Sequence, residues 1–137
     1  MLDLEVFAWG ASAFLVAFVL AGFFAVLFKL VYQWVTPYHE ADLIRQGNKA
    51  AAITLGGALL GYVIALASAL SQTNGFGEFA AWAALAGVIQ IVAFLVVSRF
   101  AFKGFVERIE NGEVAAALYM ASVSICIGVL NAACMTS

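Results

Sequence analysis

All six lysine and arginine residues lie in two short clusters, and each cluster falls between two long apolar stretches. The six are Lys29, Arg45 and Lys49 in the first cluster and Arg99, Lys103 and Arg108 in the second. Basic residues collect in the cytoplasmic connections of membrane proteins, so this pattern predicts a four-pass protein whose first and third connections are cytoplasmic. Both termini are then expected on the opposite side, which in a bacterial inner membrane is the periplasm.

The composition agrees with a membrane protein. Of the 137 residues, 66% are hydrophobic and 10% are charged, whereas soluble domains are about 45–50% apolar and about 25% charged. The excess apolar surface predicts contact with a lipid bilayer, and the length predicts one membrane domain over residues 1–137. A net charge of -2 without a basic stripe excludes nucleic acid as a partner.

The apolar stretches predict an all-α integral membrane fold with helices over residues 6–35, 49–70, 79–100 and 113–135. The third helix is expected to continue towards Glu110, because no proline interrupts it. Asn48 follows Gly47 and is expected to cap the second span.

A short surface helix is predicted over residues 37–46, since Thr36 can cap a helix and Pro37 suits its first position. Leu43 and Ile44 would then face lipid. The charged side chains on the same segment, which are expected to face water, are Glu40, Asp42 and Arg45.

An internal repeat appears when the chain is shifted by 65 residues. Thirteen positions are then identical, including Gly47 with Gly112 and Ile44 with Ile109, where composition alone would give roughly five. The two units are about residues 6–72 and 79–137. Each would be one helical hairpin, and the two hairpins would be parallel repeats related by an axis along the membrane normal.

Small residues recur on the second and fourth spans. Gly57 and Gly61 are four residues apart on one helix face and would let another helix approach closely. The candidate helix-packing residues are Gly56, Gly57, Gly61, Ala121, Ser122 and Cys126. Because four short helices form only a small core, these faces also predict a homo-oligomer.

Gln90 and Asn131 are the polar residues that a membrane interior tolerates least, so each requires a partner. They either form hydrogen bonds between helices, worth about 0.6–2 kcal/mol each, or line a hydrated path. Residues that could extend such a path are Thr54, Tyr62, Tyr119, Ser122 and Ser124. Since no charged residue lies mid-membrane, a passive pore is favoured over a proton-coupled carrier.

The sequence lacks the residue patterns of an enzyme, and no metal site or cofactor is predicted. The single histidine, His39, is either simply solvated or a pH-sensing group. Cys126 and Cys134 are interpreted as soft packing residues, with no partner for redox chemistry.

Two segments resemble a known family: residues 36–52, which read TPYHEADLIRQGNKAAA, and residues 131–135, which read NAACM. They are similar to the small bacterial inner-membrane proteins of the YjfL type, a family of unknown function. The residues that match its cytoplasmic surface motif are Thr36, Pro37, Glu40, Leu43, Ile44, Asn48, Ala50 and Ala51. The run from Gly56 to Tyr62 and Trp82 also match, whereas Glu113 departs from the asparagine often found in the second unit.

The resemblance implies tandem two-helix units in the inner membrane, but no activity. Two functions therefore stay open. One is a channel-like role in the permeation of a small ion or solute. The other is a structural or docking role for a cytoplasmic envelope-stress protein, which the resemblance implies because such proteins are common gene neighbours of the family.

Overall fold

The protein is described here from a computed structural model that covers residues 3–101 and 103–135. Six α-helices account for almost all of these residues. Their bounds are α1 Leu4–Val35, α2 Glu40–Arg45, α3 Lys49–Gln72, α4 Phe76–Val96, α5 Phe105–Glu110 and α6 Val114–Cys134. Four helical segments are long and apolar enough to cross a membrane, and they correspond to the four predicted spans.

Helix α3 is the centre of the bundle. It packs against α1, α4 and α6 and against both short helices, and more than half of its most apolar segment is buried. Helix α1, by contrast, is mostly exposed in its most apolar segment, and its buried residues, Phe28 and Tyr32, lie towards its C-terminal end. Because its surface is apolar, this exposed face is suited to lipid or to a neighbouring protein.

The closest helix pair is α3 with α6. A side chain added at Gly57 would collide with Ala121, and one added at Gly61 would collide with the backbone of Ser124. The backbone of Gly61 also touches Gly128. Glycine at these positions therefore permits a contact between two helix backbones that a larger residue would prevent.

The first connection differs from the prediction, because α2 begins at Glu40 and not at Pro37. Thr36 is extended, as expected before a proline. Its hydroxyl donates to the Gln33 carbonyl at 3.1 Å, at the end of α1, so it does not cap α2. The chain consequently bends through residues 36–38 before α2 begins, and Tyr38 is buried.

The prediction of one continuous helix from the third span to Glu110 is also wrong. The helix passes into a π-helical segment over Val97–Ala101. Gly104 then has a φ of +72°, which glycine adopts readily, and α5 starts after it. A glycine in the left-handed region, not a proline, therefore directly precedes α5.

The turns that follow α2 and α5 have the same backbone hydrogen bonds. The amide of Gly47 donates to Ile44, and that of Gly112 donates to Ile109, both at 3.0 Å. Both glycines have positive φ, +85° and +75°. As predicted, Asn48 caps the next helix, with its side-chain oxygen accepting from the Ala51 amide at 3.0 Å.

Candidate functional site

The membrane interior contains a small polar network between α4 and α6. Gln90 is 3% exposed, and its side-chain nitrogen donates to the Ser124 carbonyl at 2.6 Å. Asn131 is 8% exposed, and its side-chain nitrogen donates to the Ala86 carbonyl at 3.2 Å. Both amides therefore join helices, and the Gln90 side-chain oxygen is buried with no hydrogen-bond partner among the described residues.

The other predicted polar residues divide into buried and exposed groups. Thr54 donates to its own helix at Ala50, 2.8 Å away. The Tyr62 hydroxyl donates to the Ala83 carbonyl of α4 at 3.0 Å. Ser124 is buried beside Gln90, but Tyr119 and Ser122 lie on the exposed surface of α6. The structure thus brings Gln90 and Ser124 together, and it separates Tyr119 and Ser122 from them.

The predicted helix-packing residues divide in the same way. Gly57, Gly61 and Ala121 are buried in the contact between α3 and α6. The remaining three face outwards: Gly56, Ser122 and Cys126 are exposed, and nothing lies within 4 Å of a side chain added at Gly56. For Gly56, therefore, no contact within the described part of the chain explains the lack of a side chain.

The end of the bundle that carries α2 and α5 also carries both basic clusters, and it is called the basic end below. Here the surface motif contains one clear departure from expectation. Glu40 was expected to face water, but it is only 2% exposed. Asp42 and Arg45 do face water and lie 3.9 Å apart. Glu40 turns inwards at the start of the short helix, two residues after the buried Tyr38.

Glu40 lies with Tyr32 and Tyr38 in one buried group, called the Glu40 cluster. The two carboxylate oxygens and the two hydroxyls have no hydrogen-bond partner of good geometry among the described residues. They are nevertheless close enough for the tyrosine hydroxyls and the carboxyl to affect one another electrostatically. Burial raises the pKa of Glu40 to about 7, and burial and then the Glu40 charge raise the pKa of Tyr38.

Aromatic rings form the inner wall of this cluster. Tyr32 packs edge-on against Phe94, with ring centroids 4.9 Å apart. Tyr38 lies 6.4 Å from Phe105, which in turn contacts Phe94. Sequence reasoning identified Glu40 but not the two tyrosines. The available signal was that Tyr38 directly follows Pro37 and that Tyr32 lies about one turn before the end of α1.

Metal binding has little support in the part of the chain that the structure describes. No three residues among its histidine, cysteine, aspartate and glutamate side chains lie close enough to hold an ion. Cys126 and Cys134 are free and exposed.

Comparisons with known proteins point to one family. The profile of the Domain of Unknown Function family DUF350 matches residues 4–135. The chain is similar to the UPF0719 inner membrane protein YjfL of Escherichia coli K12, with 38% identity over 111 residues, 81% of this chain and 83% of the relative. It is also similar to the UPF0719 transmembrane protein YshE of Bacillus subtilis, with 30% identity over 71 residues, 52% of this chain and 53% of the relative. No solved structure matches the chain.

Proposed function

We propose that this chain, which belongs to the DUF350 family of inner-membrane proteins of unknown activity, is one subunit of a ring that lets a small ion or solute cross the membrane. The chain itself is a multi-pass inner-membrane protein. The orientation follows from the basic end, which we place in the cytoplasm by the distribution of lysine and arginine, with both termini in the periplasm.

The two connections support the proposed repeat. Helix α2 begins at Glu40 and α5 begins at Phe105, 65 residues later, and the long helices that follow begin at Lys49 and Val114, with the same offset. Since the turns between them also share their backbone hydrogen bonds, each unit consists of a long helix, a short helix and a second long helix.

The observation that supports the ring is that the repeat gives the chain two copies of one contact surface, one buried within the chain and one exposed. Within the chain, Gly57 and Gly61 on α3 pack against Ala121 and Gly128 on α6. The positions 65 residues after Gly57 and Gly61 are Ser122 and Cys126 on α6. The positions 65 residues before Ala121 and Gly128 are Gly56 and Val63 on α3. All four of the shifted residues are exposed.

A second copy of the chain can therefore repeat the internal contact. The Ser122 and Cys126 face of one subunit would pack on the Gly56 and Val63 face of the next. If the two repeats were related by a twofold axis, the Ser122 and Cys126 face would already pack on the Gly56 and Val63 face within one chain. Because both faces are exposed, a head-to-tail relation between subunits, which can close as a ring, is favoured. Helices α3 and α6 would then lie inside and α1 and α4 outside.

Disulfide trapping tests the ring directly, because Cys126 of one subunit should adjoin residue 63 of its neighbour. Val63→Cys in a Cys134→Ala background should form a ladder of covalent oligomers on oxidation in membranes. Val88→Cys, on the exposed face of α4, is the matched control and should give no ladder. Covalent dimers alone would indicate a twofold interface, and the absence of any Val63→Cys product would contradict the ring.

Permeation is tested by flux through purified protein in liposomes. Gln90 and Asn131 would support the wall of the path, because their hydrogen bonds hold α4 against α6 while both side chains are buried. Gln90→Leu and Asn131→Leu should each change flux or selectivity, whereas Gly22→Ala on α1 should change neither. If both leucine variants keep the flux and selectivity of the wild type, these residues have no part in permeation.

A docking role for a cytoplasmic envelope-stress protein is the second candidate, and the exposed Asp42 and Arg45 pair favours it. In this case a pull-down from cells should recover a partner, and Asp42→Ala with Arg45→Ala should lose it. Recovery of the same partner by the double variant would argue against α2 as the docking surface.

A further inference from the structure

Glu40 is the only buried carboxylate of the eight in the sequence. The other seven, Asp3, Glu5, Asp42, Glu78, Glu107, Glu110 and Glu113, are all exposed. An ionised carboxylate that is removed from water and left unpaired is strongly disfavoured, so a buried one ordinarily finds a cation or accepts a proton. What surrounds Glu40 therefore decides which of the two it binds.

The surroundings supply oxygen atoms but no ion pair. From α1, Tyr32 contributes a hydroxyl, and the positive charge of Lys29 acts on Glu40 from a distance. No lysine, arginine or histidine of the described residues lies within 4 Å of the carboxylate. From the linker, Tyr38 brings a second hydroxyl. The rings that pack against these tyrosines from α4 and α5 are Phe94 and Phe105, which carry no charge.

The cluster also has a route to water. A cavity of about 400 Å³ is bounded by Trp34, Tyr38, His39, Glu40 and Asp42, among others. His39 and Asp42 are exposed and stand at its outer side. This cavity is the path by which we expect a proton from the aqueous phase at the basic end to reach Glu40, whose carboxylate oxygens are themselves buried.

We propose that Tyr32, Tyr38 and Glu40 form a proton-binding site that exchanges with the aqueous phase at the basic end of the bundle. The proton comes from bulk water and binds one carboxylate oxygen of Glu40, which makes the side chain neutral. The two tyrosine hydroxyls then serve as donor and acceptor for the carboxyl group and hold it in place. The raised pKa of Glu40 agrees with occupancy near neutral pH. The site is independent of the ring and of permeation.

Infrared titration of the purified full-length protein in lipid nanodiscs tests this site. Between about pH 5 and about pH 9, the carbonyl stretch of a protonated carboxylic acid should disappear with a midpoint near 7. Glu40→Gln should remove this component, whereas His39→Gln, which alters the exposed group at the cavity, should keep it. Persistence of the component in Glu40→Gln, or its absence from the wild type, would overturn the proposal.

Two further measurements test the tyrosine contacts and distinguish a bound proton from a bound alkali cation. Tyr38→Phe should move the midpoint upwards, because the hydroxyl favours the charged form of Glu40. This variant keeps the carboxyl, so it tests the site even if Glu40→Gln fails to fold. The midpoint should be the same in sodium, potassium and choline salts. A midpoint that falls as sodium or potassium rises would show that an alkali cation competes with the proton for the carboxylate, which would contradict a site for the proton alone.

Discussion

The side-chain nitrogen of Asn48 donates to the Ile109 carbonyl at 2.8 Å, which ties the start of α3 to the end of α5. The same side chain caps α3 through its oxygen. One residue therefore stabilises both a helix end and the contact between the two connections. The residue 65 positions later, Glu113, makes no capping bond and instead pairs with Arg108 at 3.3 Å on the surface.

Replacement of Asn48 should separate these two contributions. Asn48→Ser keeps an oxygen for the cap but is too short to reach Ile109, so it should lower the free energy of unfolding by about 1 kcal/mol. Asn48→Ala loses both interactions and should cost about 2 kcal/mol. Thermal unfolding in detergent measures both, with Glu113→Ala as a control expected to change stability by less than about 0.5 kcal/mol. Equal losses for serine and alanine would mean that the cap contributes nothing.

The contact between α3 and α6 should not tolerate even a methyl group. Gly61→Ala places a carbon against the Ser124 backbone, and Gly57→Ala places one against Ala121. Each should lower the free energy of unfolding by about 1–3 kcal/mol, because backbone atoms have to move apart. Gly56→Ala is the matched control on the same helix, where the added carbon meets nothing within the chain, and it should leave the fold of a subunit intact. A Gly61→Ala protein as stable as Gly56→Ala would contradict the close helix contact.

The four spans could be predicted from the sequence because hydrocarbon excludes charge, and this rule acts on every residue of a span. The cap at Asn48 was predictable for a similar reason, since it depends on residues three positions apart. The glycine motif at Gly57 and Gly61 indicated a close helix contact, but nothing in it named Ala121 and Gly128 as the partners.

The buried position of Glu40 was not predictable in this way. It depends on which group accepts the hydrogen bond of the Thr36 hydroxyl, since donation to the Gln33 carbonyl extends α1 and delays the start of α2. A residue that can cap either the helix before it or the helix after it leaves the boundary ambiguous by several positions. The π-helical segment over Val97–Ala101 was not predictable either, because no local sequence pattern specifies one.

The proposed orientation makes both basic connections accessible from one side. Single cysteines in place of Arg45 and Arg108, in a background with Cys126→Ala and Cys134→Ala, should both resist an impermeant maleimide in intact cells and react after lysis. Asn74→Cys, in the turn between α3 and α4, should react in intact cells. Labelling of the Arg45 and Arg108 positions from opposite sides would contradict the repeat as well as the orientation.

The stability of the protein should fall as the pH rises from about 4.5 to about 7, because Glu40 is harder to ionise in the folded state than in the unfolded chain. Its folded-state pKa of about 7 lies above the ordinary value of 4.5, so over this interval the folded state binds more protons than the unfolded state. The full difference is on the order of 3 kcal/mol and is complete above the folded pKa. Glu40→Gln should abolish this dependence and unfold at a higher temperature than the wild type near pH 8, whereas Asp42→Asn, on the exposed side of the same helix, should preserve it. Unfolding temperatures that increase with pH over this interval would instead mean that the Glu40 carboxylate is stabilised as an anion in the folded protein.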